Sequence, residues 1–155
     1  MNQTLSPFRQ MSLSYRRLLY AKIIFWVIAL LVVGFGWVRT SNDVALDRLL
    51  QVIAVLYSFI AVMVGLLLFR RKVEGLRTTD IPVRDKLEKY YQAGMIQWIL
   101  LTSAGFFCGA SYLLVGNWAF PVLAIALLAI YGGLNPFKQK VLLQLRLRET
   151  DVAGI

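Results

Sequence analysis

Between Arg48 and Arg70 lie 21 consecutive residues, 49–69, without a charge. A helix of that length reaches about 31 Å, enough to cross a hydrocarbon core of about 30 Å. No other feature constrains the fold as strongly. Three further apolar blocks follow the same logic, at 21–38, 93–115 and 118–134.

The whole chain agrees with this reading. Of its 155 residues, 59% are hydrophobic and 16% charged, and the mean hydropathy is +0.65. A soluble domain is nearer about half apolar and about a quarter charged. The expectation is an all-α integral membrane four-helix bundle in one domain, 1–155, made of two antiparallel helical hairpins. A charged cytoplasmic hinge, 70–92, joins the hairpins, and a cytoplasmic tail, 135–155, follows them. No cleavable leader is expected, so the first span is read as retained.

Helix ends are marked in several places. Ser6-Pro7 can open a short basic helix lying on the membrane surface, with Phe8, Met11, Tyr15 and Leu18 at helical spacing. Lys22 is expected to snorkel outward from the start of the first span. Ser41 or Asn42 can cap the second helix, with Asp43 and Asp47 in its first turns. Gly75 is a candidate end for that helix, and Thr79, Asp80 and Pro82 a candidate start for the next. Gly116-Asn117 is a tight turn. Asn135-Pro136 can cap and open a last interfacial helix with Phe137, Val141, Leu142 and Leu145 on one side, and disorder is expected after Glu149. Ala21, Ile24, Trp26 and Ile28 also match Ala93, Ile96, Trp98 and Leu100, which leaves open a duplicated hairpin.

Orientation follows from Lys and Arg. Four precede or open the first span, seven lie in the hinge and four in the tail, against two in the loop after the first span. The positive-inside rule then places both termini and the hinge in the cytoplasm, with the bacterial inner membrane as the expected setting. Arg16, Arg17, Arg70, Arg71, Lys72, Lys138 and Lys140 should ring the cytoplasmic rim, facing anionic lipid headgroups or a partner. The net charge of +9 is read as lipid-directed, with no nucleic-acid partner.

Reactive groups are scarce. With no histidine and one cysteine, Cys108, the chain has no intramolecular disulfide and no His-ligated haem or zinc site. None of the eight carboxylates falls inside a span, where coupled transporters usually keep one. Small four-helix multidrug exporters resemble this chain in span number, but their membrane-embedded Glu has no counterpart here. The likeness to membrane-bound glutathione-type enzymes likewise stops at topology. No catalytic, cofactor or metal residues are assigned.

What remains is packing and polarity. Gly105 and Gly109, four apart in the third span, are the candidates for close helix packing. Tyr57, Gln97, Thr102 and Ser103 are the candidates for a polar cavity. Two functions are expected: a non-enzymatic interaction or accessory subunit, with a protein partner or second copy, or passive binding of a lipid or other apolar small molecule.

Overall fold

The computed structural model describes residues 7–152. Five α-helices follow in order: α1 (Pro7–Gly34), α2 (Val44–Thr78), α3 (Val83–Val115), α4 (Ala119–Gly133) and α5 (Lys138–Leu145). A 3-10 turn, Glu149–Val152, closes the described chain, and no strand occurs among the described residues.

Three of these helices, α1, α2 and α3, are long and apolar enough to span a membrane. The fourth expected span is shorter. At 15 residues, α4 reaches about 22 Å. It is long and apolar enough to cross a membrane only together with α5, from which it is bent by 70°.

The bundle is organised on α3. Half of its most apolar stretch is buried, against 22% for α2 and 11% for α1. It packs most extensively on α2, then on α1 and α4. The expected first hairpin is therefore splayed: α1 and α2 lie against α3 and have little contact with each other. Small residues on α3 make this possible. Ala93, Gly94, Ala104, Gly105, Cys108, Gly109 and Ser111 are all buried, and small side chains let neighbouring helices approach closely.

The N-terminal stretch departs from expectation. No break separates it from the first span, and α1 is one helix from Pro7. Met11 and Tyr15 are buried in the bundle, not laid on a membrane surface. The expected apolar side is the correct side, but protein covers it. Ser6, the expected cap, lies outside the described residues.

Loops are fixed by polar contacts at helix ends. Asp43, not Ser41 or Asn42, caps α2: its Oδ1 accepts from the Ala45 and Leu46 amides at 2.9 and 3.3 Å. Asp47 Oδ2 accepts from Asn117 Nδ2 at 2.7 Å, joining α2 to the α3–α4 turn. Gly116 ends α3 in the left-handed region, φ 70°. A Cβ there would meet Thr40 Cγ2 at 2.9 Å, so glycine is required twice over.

At the opposite end, α2 runs past Gly75 to Thr78, and the chain turns into α3 within four residues. Helix α5 begins at Lys138, beyond the expected Asn135-Pro136 start, and packs against α2. Val141, Leu142 and Leu145 are buried as one face, while Phe137 is exposed. Disorder was expected after Glu149, yet 150–152 belong to the 3-10 turn Glu149–Val152, with Val152 buried.

Candidate functional site

Four side chains from three helices meet where α1, α3 and α4 converge. The buried stripe of α1 is Met11, Tyr15, Lys22 and Ala29, spaced by four and seven residues along one face. Tyr15 stacks on Tyr131 of α4, ring centroids 4.7 Å apart, and meets Trp98 of α3 edge-on at 5.5 Å. The tyrosines also exchange hydrogen bonds. Tyr15 Oη donates to the Tyr131 carbonyl at 3.0 Å, and Tyr131 Oη donates to the Tyr15 carbonyl at 3.1 Å. Two aromatic hydroxyls are thus buried and satisfied, as burial of a phenol requires.

Lys22 completes the cluster. It was expected to snorkel outward, yet it is only 5% exposed, and its Nζ lies 3.3 Å from the Tyr131 ring centroid. The cause is position: seven residues after Tyr15, it falls on the face that α1 turns toward α3 and α4.

Beside this cluster opens a groove of 180 Å³. Its walls are apolar, with Trp26, Val27 and Leu30 from α1, Leu101 and Gly105 from α3, and Pro121, Ala124 and Leu128 from α4. Among the described residues, Lys22 is the one charged side chain on the wall, and no carboxylate lines it. A dry cavity of ~150 Å³ holds a benzene-sized molecule. This groove accordingly admits a segment of hydrocarbon chain.

The two candidate glycines have different surroundings. A Cβ on Gly109 would run into the Phe25 ring, so α1 and α3 touch there with no space between them. A Cβ on Gly105 would meet nothing within 4 Å, because Gly105 faces the groove.

The polar candidates are distributed over more than one place. Tyr57 Oη and Ser103 Oγ are hydrogen-bonded at 2.8 Å across α2 and α3. Thr102 Oγ1 donates back to the Trp98 carbonyl at 2.6 Å, within its own helix. Gln97 lines a separate cavity of 130 Å³ between α2, α3 and α5. Cys108 is fully buried beside Ser58, Sγ to Oγ 3.9 Å. Of the cations expected at the rim, Arg16, Arg17, Arg70, Arg71, Lys72 and Lys138 are exposed. Lys140 is half-buried and donates to the Gly133 carbonyl at 2.7 Å.

Among the described residues, no group of His, Cys, Asp and Glu could hold a metal ion. Sequence reading missed Lys22 and Tyr131. The signal for Lys22 was its seven-residue spacing from Tyr15. Comparison with protein families, curated proteins and solved structures found no match for this chain.

Proposed function

We propose that this is a non-enzymatic membrane protein that binds the hydrocarbon chain of an anionic amphiphile of the fatty-acid type in the α1–α3–α4 groove. Lys22 carries the reading. Removing an ammonium from water costs several kcal/mol, whereas a desolvated cation–π contact returns about 2 kcal/mol. Tyr131 alone leaves the charge under-compensated, and a carboxylate or similar headgroup beside Lys22 supplies the difference. The groove wall supplies apolar contact for the chain that follows.

In this reading α4 makes the fourth crossing, and α5 turns onto the cytoplasmic rim. The distribution of Lys and Arg supports both termini in the cytoplasm. Size and apolar content match the small inner-membrane proteins of bacteria, which is the proposed setting.

The experiment is gentle-detergent purification followed by mass spectrometry of extracted small molecules. An anionic single-chain amphiphile should accompany the wild type and be lost from Gly105→Leu, which fills the groove. Equal recovery from both would contradict the reading.

An accessory-subunit role is supported by a separate observation. The 35 residues of α2 reach about 52 Å, while a hydrocarbon core takes about 30 Å. The surplus projects beyond the rim with α5 packed on it, and Arg71, Lys72 and Lys138 exposed. In-cell crosslinking from Lys72 that captures no protein would set this role aside.

A further inference from the structure

The separate cavity of 130 Å³ between α2, α3 and α5 has a different chemistry. Arg70 enters it from α2, one residue after the uncharged stretch ends. Lys140 and Gln144 enter it from α5, and Gln97 and Tyr90 from α3. Among the described residues, no carboxylate lines it. Two cations therefore line one small space, and no carboxylate among the described residues offsets them there.

Gln97 gives the second observation. It is 2% exposed, and its Nε2 is buried with no hydrogen-bond partner among the described residues. A buried amide left unpaired is costly, so its retention calls for an acceptor. Gly65 of α2 lies against it: a Cβ there would come within 3.3 Å of Gln97 Cγ.

The remaining walls are held by their own bonds. Tyr90 Oη donates to Gln144 Oε1 at 2.6 Å, and Arg77 Nε donates to the Gln144 carbonyl at 2.6 Å. These fix α5 across the cavity. Lys140 uses one donor on the Gly133 carbonyl and has two more available from its ammonium.

We propose that this cavity is a phosphate site, with Arg70 and Lys140 pairing the anionic oxygens and the Gln97 amide donating to one of them. Its volume equals about four water molecules' share of the liquid, enough for a tetrahedral oxyanion. Arg and Lys at the membrane rim are the residues that bind phospholipid headgroups. The phosphate comes either from such a headgroup or free from the cytoplasm. The cavity shares no wall residue with the Lys22 groove, and the two sites meet at Trp98, which contacts Tyr15 and also lines this cavity.

The test is native mass spectrometry of the full chain in mild detergent, titrated separately with short-chain phosphatidylglycerol, phosphatidylcholine and inorganic phosphate. The site predicts one saturable phosphatidylglycerol, held at least about ten-fold more tightly than phosphatidylcholine. Gln97→Leu and Arg70→Gln should each erase that preference, and Lys22→Met should leave it intact. Saturable inorganic phosphate that competes with phosphatidylglycerol and is lost in Arg70→Gln supports the site with free phosphate as its source. Equal binding of both lipids with no saturable phosphate overturns the proposal. So does a preference for phosphatidylglycerol that survives both Gln97→Leu and Arg70→Gln.

Discussion

Lys22 Nζ sits 3.3 Å from the centroid of the Tyr131 ring, and the same ring is stacked on Tyr15 at 4.7 Å. One ring thus seats a buried cation and anchors α4 to α1. Replacing Tyr131 separates the two roles. Tyr131→Phe keeps the ring and loses the bond to the Tyr15 carbonyl, a cost of about 0.5–1.5 kcal/mol. Tyr131→Leu also loses the stack and the cation's seat, about 2–3 kcal/mol more. Denaturant titration in mixed micelles measures both, and equal midpoints for the two variants would refute the arrangement.

The glycine pair on α3 provides a sharper contrast. Gly109→Ala places a methyl against the Phe25 ring and should cost about 1–3 kcal/mol as overpacking. Gly105→Ala points into open groove and should stay within about 0.5 kcal/mol of wild type. Unfolding midpoints in the reverse order would show that α1 and α3 do not meet at Phe25.

Asp47 and Asn117 tie α2 to the α3–α4 turn. Asp47 Oδ1 already lacks a partner among the described residues, and Oδ2 depends on Asn117. Asn117→Ala leaves both oxygens unpaired and should destabilise by about 1–3 kcal/mol. Adding Asp47→Ala should recover the part due to the unpaired carboxylate, a coupling that a double-mutant cycle reads directly, while the lost bond from the Ala119 amide to Asn117 Oδ1 stays lost. Strict additivity would show that the pair is not formed.

Gln144 is held by both Tyr90 and Arg77, which clasp α5 onto the ends of α2 and α3. Double replacement, Tyr90→Phe with Arg77→Ala, should free α5 and speed trypsin cleavage after Lys138 and Lys140. Cleavage at the wild-type rate would mean that the apolar face of α5 suffices without the clasp.

Much of this architecture was legible in the sequence. The uncharged run 49–69 and its neighbours were sufficient to place α2 and α3, because hydropathy over about 20 residues reports directly on what lipid requires. The small residues of α3 pointed to the helix that others pack against. Three features were less legible. The cap of α2 fell on Asp43, because neighbouring Ser, Asn and Asp all satisfy the same capping chemistry. The N-terminal amphipathic face was visible, but periodicity does not distinguish a lipid surface from a protein neighbour. Lys22 was counted by charge and sequence position, while its fate was decided by its angular position on α1. That requires knowing which face α3 and α4 cover.

The central claim is that Lys22 makes the α1–α3–α4 groove a site for an anionic amphiphile. Its most direct test compares wild type with Lys22→Met, titrated in zwitterionic detergent with a fluorescent fatty acid and its neutral methyl ester. Removing a buried charge in favour of an apolar chain should leave stability equal or higher. The account predicts that Lys22→Met weakens fatty-acid binding at least about ten-fold and leaves ester binding unchanged. Fatty acid binding equally well to both proteins would contradict it.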